Sequence, residues 1–286
     1  MGDGMADRMV VAGLGYSGGA IAAEALEAGF AVTGTARDPA RAAPPPGVAV
    51  VAFAEAGEAI RNATHLVITA APGESGDPVL AVHAAAIAAA PALRWIGYLS
   101  TTGVYGDRGG GAVDEATPPA PGQDRSKRRL VAEEAWRLAA GGRALDLFRV
   151  GGIYGPGRSS LDEIRAGTAR RVVKPGHAFS RIHRDDIALA VVAAARRPDG
   201  VRVLHLVDDE PAASADVVTE AARLLGMAPP PALAFEDSAP RMSPMALSFW
   251  SENRVVTNAA TKAALGIEWR CPTYREGLAA ILAAGG

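Results

Sequence analysis

The chain has 286 residues, enough for one large α/β domain or for a domain with a smaller lobe. Its 29 basic and 31 acidic residues leave a net charge of −2, which excludes the global basic field of a nucleic-acid binder. A single cysteine, Cys271, excludes an internal disulfide framework and reads as a buried or incidental thiol with no Cys–His arrangement near it in the chain. No apolar run approaches the roughly 20 residues of a membrane span. Residues 1–8 are polar and acidic and read as no signal peptide, so a cytoplasmic protein is expected.

Residues 9–12 are a short apolar run and predict a buried first strand. Gly13, Gly15 and Gly18 follow in the spacing G-x-G-x-x-G, with Leu14, Tyr16 and Ser17 between them. A helix rich in Ala, Leu and Ile is predicted over 20–28 and stops at Gly29. Strand, glycine turn and helix stand in the order a dinucleotide site requires. The first glycine permits the sharp turn, the second lets backbone approach a pyrophosphate, and the third lets the helix pack against the strand. The helix N-terminus adds N–H groups and partial positive charge. Gly13, Gly15, Tyr16, Ser17 and Gly18 are therefore candidate cofactor-binding residues.

A second strand over 30–36 ends at Arg37-Asp38-Pro39. In nucleotide-binding βαβ units this position faces the adenosine ribose, where a carboxylate accepts from the 2′-hydroxyl and an arginine accommodates a 2′-phosphate. Arg37 stands first, which favours NADP over NAD. A proline-rich loop leads to a third strand over 48–53, and residues 64–73 predict a fourth that ends in small residues. Ala70 and Ala71 there suit close cofactor approach. Asp77-Pro78 opens an alanine-rich helix to residue 90, in which His83 reads as a surface or boundary histidine. A fifth strand over 93–99 runs into the hydroxyl cluster Ser100-Thr101-Thr102.

A helix is predicted over 125–140, and Arg125, Lys127, Arg128 and Arg129 load its first turns against the macrodipole. Ligand contact and a solvated face are both open readings of that run. A sixth strand over 144–150, a short helix over 160–167 and an extended piece over 170–174 follow. Then come a helix over 187–196 with Asp185 and Asp186 at its start, a strand over 201–207 and a helix over 214–225. Residues 228–244 are rich in proline and predict a long surface loop. A helix over 258–265 and a last one opened by the capping box Thr273-x-x-Glu276 complete the chain.

The alternation predicts an α/β fold, a doubly wound parallel sheet of the Rossmann kind with a smaller C-terminal substrate lobe. The expected division is 1–153 plus 181–207 for the NAD(P)-binding domain and 154–180 plus 208–286 for the lobe covering the strand ends.

Together these segments resemble the short-chain dehydrogenase/reductase superfamily, in its extended and atypical branches, which include the NAD-dependent epimerase/dehydratase group. The resemblance rests on the glycine turn, on Leu99-Ser100-Thr101-Thr102-Gly103-Val104-Tyr105-Gly106, and on Asp114-Glu115-x-x-Pro118. It continues through Phe148-Arg149-Val150-Gly151-Gly152-Ile153-Tyr154-Gly155-Pro156-Gly157, Ile182-His183-Arg184-Asp185-Asp186-Ile187-Ala188 and residues 258–278, in family order. It implies an NADP-dependent oxidoreductase or epimerase/dehydratase-like protein. Such a protein moves a hydride at a carbinol or carbonyl carbon of a small, sugar-nucleotide-like substrate.

The family hydroxyl that holds the substrate carbonyl falls on Thr101. The family's Tyr-x-x-x-Lys pair has no counterpart between Gly106 and Ala140. Aligned on Glu133, its two positions carry Arg125 and Arg129; aligned on Lys127, the tyrosine position carries Gln123. Arginine stays protonated and cannot shuttle a proton near neutral pH. Arg129 can still bind ribose or phosphate, and Arg125 a ligand carboxylate or phosphate. Tyr105 and His183 are the replacement acids to weigh against structural roles for both. The candidate catalytic residues are thus Thr101, Tyr105, Arg125 and Arg129, with Thr101 and Arg129 also placed as cofactor contacts. The missing phenol keeps an alternative open, a non-catalytic NADP(H)-binding or sensing protein of the same fold.

No paired Cys or His stands at metal-ligand spacing, and no phosphate loop or nucleophile elbow appears. The expected partner is a small-molecule substrate, with no nucleic acid and no membrane; oligomeric state is open, with a homodimer as the candidate.

Overall fold

The computed structural model describes residues 7–285; residues 1–6, on which most of the reading of the N-terminus rests, lie outside them. The first elements are β1 (Arg8–Ala12), α1 (Tyr16–Glu27), β2 (Ala31–Ala36), β3 (Ala49–Ala52), α2 (Gly57–Arg61), β4 (His65–Ile68), α3 (Pro78–Ala88) and β5 (Trp95–Thr101). Next come β6 (Ala112–Val113), α4 (Asp124–Ala139), β7 (Ala144–Val150), β8 (Gly152–Tyr154), α5 (Ser160–Arg165), β9 (Arg171–Val173), β10 (Arg181–His183), α6 (Arg184–Ala195) and β11 (Val201–Leu206). The C-terminal part holds α7 (Ser214–Leu224), β12 (Ala232–Ala234), α8 (Phe235–Ser238), α9 (Pro244–Trp250), β13 (Val255–Val256), α10 (Ala259–Leu265) and α11 (Tyr274–Ala283).

A seven-stranded parallel sheet runs in the order β11-β7-β5-β4-β1-β2-β3. Val10 of β1 pairs with Thr33 of β2 on one side and with Leu66 of β4 on the other. The chain therefore reverses its direction of travel across the sheet at β1 and β4. Open α/β sheets bind ligands outside the carboxyl ends of strands at such a switch. Helices cover the sheet, so its central strands are buried on both faces and read as unbroken apolar runs. Met9, Val10, Val11, Ala12, Leu66, Val67 and Ile68 are all buried.

The described chain divides into two compact units. One holds the described residues through Thr101, with Asp124–Arg149 and Ile187–Leu204; the other holds Thr102–Gln123, Val150–Asp186 and the chain from His205 onward. The first has a core of Val10, Leu66, Ile68, Ile96, Tyr98, Trp136 and Leu147 with their neighbours. The second packs α5, α7 and α11 through Leu161, Val218, Ala221, Tyr274, Leu278 and Ile281. It also contains three short parallel pairs, β10 with β8, β12 with β9 and β13 with β6.

Helix ends follow local chemistry. Asp77 caps α3, accepting from the N–H groups of Val79 and Leu80 at 2.9 and 3.0 Å, with Pro78 in the first turn. The capping box of Thr273 and Glu276 forms as read, and the Thr273 N–H donates to Glu276 Oε2 at 3.0 Å.

Several expectations are corrected. Helix α1 begins at Tyr16, four residues before the predicted start, because close packing on the turn overrides the poor helix propensity of Gly18 and Gly19. His83 is buried, not at the surface; its Nε2 lies 2.7 Å from the Phe53 carbonyl and its ring stacks edge-on against Phe53. The 228–244 stretch is not a plain loop. It carries β12 and α8, and Pro244 starts α9 behind the cap Ser243. Prolines there mark element starts, where their missing N–H costs nothing. α2, β8 and β10 are too short to leave a periodic signal in the sequence. Among the described residues no helix is long and apolar enough to cross a membrane.

Candidate functional site

The site in the first unit is built on the turn between β1 and α1. Gly13 has φ +117°, a backbone region open to glycine alone at low cost. A Cβ there would stand 2.6 Å from Thr69 Oγ1. That hydroxyl donates to the Gly13 carbonyl at 2.6 Å, which ties the turn to the end of β4. The Leu14 N–H donates to the Thr35 carbonyl at 2.9 Å, and the Leu14 side chain fills the space above Gly34. Gly15 is the N-cap of α1 and supplies no side-chain acceptor. A Cβ on Gly15 would meet no atom within 4 Å. The turn thus ends in open space in front of an uncapped helix N-terminus, where backbone N–H groups and the macrodipole favour an anion. These residues fit the pyrophosphate of a dinucleotide.

Tyr16, Ser17 and Gly18 form the first turn of that helix. Arg37 is exposed at the carboxyl end of β2. Its neighbour Asp38 is engaged locally, accepting from the Ala40 N–H at 3.1 Å as the cap of a short 3₁₀ turn. Of the two charged groups at this strand end, the guanidinium is the one left to face solvent. Ala70 follows Thr69, and its N–H donates to the Ala12 carbonyl at 3.3 Å; Ala71 is exposed beyond it.

Thr101 closes β5 and is half-buried. The residue before it is anchored from below. Ser100 Oγ donates to Glu133 Oε1 at 2.5 Å, and Arg149 donates to both carboxylate oxygens of Glu133, at 3.2 and 2.7 Å. Glu133 and Arg149 are 0% and 3% exposed, so the pair survives burial only because each charge is matched and bonded. The triad joins α4, β5 and β7.

Arg125 and Arg129 lie four residues apart on α4 and so share a face. Arg129 Nη1 donates to the Leu99 carbonyl and to the Tyr98 hydroxyl, and its guanidinium lies over the Tyr98 ring, 5.7 Å from the centroid. The fork is thereby held at the carboxyl end of β5. Burial pushes the Tyr98 phenol up to about 12, against the pull of Arg129, so it is a weaker acid than a free tyrosine.

Tyr105 belongs to the second unit and is fully buried. Its hydroxyl lies 2.5 Å from His205 Nε2, while His205 Nδ1 lies 2.7 Å from the Thr257 carbonyl. A carbonyl can only accept, so Nδ1 carries the proton, Nε2 accepts, and Tyr105 donates. The phenol is spent on holding its own loop. His183 also has a structural contact: its Nδ1 accepts from the Asp185 N–H at 3.3 Å at the start of α6. Gln123, the other candidate for the tyrosine position, donates to Ser251 Oγ at 3.1 Å.

The candidates that the sequence offered here, the turn, Arg37, Thr101 and the two arginines, all lie in the first unit, whereas Tyr105 lies in the second. Sequence reading missed Thr69, although a hydroxyl just past the end of a strand beside small residues was a usable signal. It also missed His205, whose partner is distant in the chain.

No family model matches the chain. A solved structure from Silicibacter pomeroyi, of a conserved protein of unknown function, is 41% identical with a TM-score of 0.87, covering 98% of this chain and 99% of that one. Among curated proteins, the Escherichia coli protein YeeZ is 29% identical over 240 residues, 78% of this chain and 85% of its own. A 3-diazoavenalumate denitrifying reductase from Streptomyces is 34% identical over 184 residues, 58% of each. The fold is shared more widely. A human epimerase family protein with NADPH is 18% identical at a TM-score of 0.75, covering 96% of this chain and 98% of that one. The Thermus thermophilus UDP-glucose 4-epimerase with NAD is 19% identical at 0.72, covering 97% and 99%.

Proposed function

Because the chain belongs to one family with the Silicibacter pomeroyi protein and has the fold of NAD-dependent epimerase/dehydratase-like short-chain dehydrogenases/reductases, we propose that it is an NADP(H)-dependent reductase of a small, carboxylate-bearing molecule. The observation that carries this reading is α4. It sets Arg129 against the Leu99 carbonyl beside Thr101, where the family would set a lysine, and Arg125 one turn earlier, where the family would set its tyrosine.

NADPH supplies a hydride when bound. The chain's part is to hold and orient. The turn at Gly13–Gly18 and the end of α1 take the pyrophosphate, and Arg37 takes the 2′-phosphate. Arg129 spends one arm on β5 and has further N–H groups in its fork for the nicotinamide ribose. Thr101 positions a polar atom of the substrate, and Arg125 clamps its carboxylate.

What the first unit lacks, among its described residues, is a group that gives up a proton near neutral pH at this strand end. The chemistry best suited to such a site is hydride addition to an acceptor that needs no protein acid. An arenediazonium is one. Its C–H bond forms from the hydride, its C–N bond breaks, and the C–N electron pair leaves with neutral dinitrogen. The name of the Streptomyces relative, a denitrifying reductase, supports that class.

The test follows NADPH oxidation with 3-carboxybenzenediazonium, against a panel of aldehydes, ketones and UDP-sugars. We expect turnover of the diazonium, deuterium carried from C4-deuterated NADPH to the ring carbon, and equal rates in H₂O and D₂O. Turnover of carbonyl substrates alone, slowed in D₂O, would sink the proton-free reading. Tight NADPH binding with no turnover of any substrate would establish the sensing protein instead, the reading the absent phenol also favours.

A homodimer is part of the proposal. Val131 and Leu138, seven residues apart on α4, are 66% and 84% exposed, and Val82 on α3 is 53% exposed. Exposed apolar side chains of this kind suit pairing with a second copy about a two-fold axis. Sedimentation equilibrium returning a monomer at micromolar concentration would remove it.

A further inference from the structure

His183, Asp186 and Cys271, in the second unit, play no part in the function proposed above. The sequence places Cys271 far from any histidine. The fold brings it to one. His183 ends β10, Asp186 lies in the first turn of α6, and Cys271 precedes α11. Asp186 itself holds the cysteine there: its carboxylate accepts from the N–H groups of Arg270 at 2.6 Å and Cys271 at 3.0 Å. All three side chains are buried, at 3%, 0% and 5% exposure, and one donor atom from each lies within 4.8 Å of the other two.

The decisive atom is His183 Nε2. It is fully enclosed and has no hydrogen-bond partner. Buried polar atoms in folded proteins are almost always bonded, so an orphaned ring nitrogen on a histidine clustered with a buried carboxylate and thiol calls for an occupant. A carboxylate that accepts two N–H bonds still has lone pairs on both oxygens. Imidazole, carboxylate and thiolate are a donor set for a borderline-soft dication, and the two negative groups balance its charge. Tetrahedral zinc, with bonds of about 2.0–2.3 Å, sets its donors roughly 3.3–3.8 Å apart, so shifts of about 1 Å close the site. Asp185 Oδ2 lies 3.8 Å from His183 Nδ1. In the metal-free structure Nδ1 accepts from the Asp185 N–H; with Nε2 on the metal the ring takes the other tautomer, and its Nδ1–H turns to this carboxylate, the arrangement that orients metal-bound histidines.

We infer that His183, Asp186 and Cys271 bind a zinc-like divalent cation that ties the turn between β10 and α6 to the segment before α11. Three protein donors leave one position for water.

The full chain, stripped with a chelator, is titrated with Co²⁺ as the spectroscopic probe. The expected result is one equivalent bound, visible bands of tetrahedral cobalt, a thiolate-to-cobalt charge-transfer band, and displacement by Zn²⁺. Cys271→Ser should abolish the charge-transfer band, and His183→Gln should weaken binding about tenfold or more. A second measurement needs no variant. Cys271 is the only cysteine, so a thiol reagent reads this site alone. Zn²⁺ should slow its modification about tenfold or more, and Asp185→Asn should reduce that protection. Cobalt bound without the charge-transfer band, or Cys271 modified equally fast with and without Zn²⁺, would overturn the site.

Discussion

A Cβ on Gly18 would lie 2.0 Å from the carbonyl oxygen of Gly13, whereas a Cβ on Gly15, between them, would touch nothing within 4 Å. The two glycines are therefore needed for different reasons. At Gly18 the obstacle is backbone, which cannot yield, so Gly18→Ala should destabilise the fold by about 1–3 kcal/mol. Gly15 has φ −81°, which alanine adopts freely, so Gly15→Ala should leave the melting temperature nearly unchanged. It should nonetheless weaken NADPH binding about tenfold, or roughly 1.4 kcal/mol, because the methyl occupies the pyrophosphate's space. Thermal melts and fluorescence titration on both variants separate the two effects.

In the proposed function, Arg37 is the residue that sets the cofactor preference. With Asp38 engaged as a cap, the end of β2 presents a cation to solvent, where the proposal sets the 2′-phosphate. Arg37→Ala should cost NADPH binding about 1.5–3 kcal/mol and leave NADH binding unchanged. Equal affinities for the two cofactors in the parent protein would remove the NADP assignment.

Glu133 is the anchor under the carboxyl end of β5. Glu133→Ala takes the matching carboxylate away from the buried Arg149 guanidinium and removes the acceptor of Ser100. The expected loss is about 3–5 kcal/mol, read in urea unfolding. Glu133→Gln, which retains an acceptor, should lose less.

Asp208 makes stability depend on pH. Burial pushes its carboxyl up to about 8, against the pull of Arg181. The folded state thus holds a proton that the unfolded chain releases near pH 4. Below that pH the contribution is fully present; it fades as pH rises and is gone above about 8. Asp208→Asn cannot ionise, so its melting temperature should gain on the parent's by several degrees between pH 5 and 9. Parallel melting curves for the two proteins across that range would contradict this.

Much of the candidate site was legible because its signals are local. The glycine spacing, the apolar run before it and the arginine at the next strand end lie within a few dozen residues, and each reports on backbone geometry or charge at its own position. The absent Tyr-x-x-x-Lys was legible in the same way. Residues 57–61 and 228–244 were not, since elements of three to seven residues leave no periodic pattern.

The parallel, doubly wound sheet, the glycine turn and the two arginines on α4 were thus legible in the sequence alone, through residue type and spacing; the order of the strands across the sheet was not. The tertiary structure alone decided which polar groups spend themselves on one another. Tyr105 meets His205, Glu133 meets Arg149, and His183 meets Cys271 across long stretches of chain. Such partners are chosen by packing. A buried polar atom bonds whatever the fold brings within about 3 Å, and no local pattern announces what that will be.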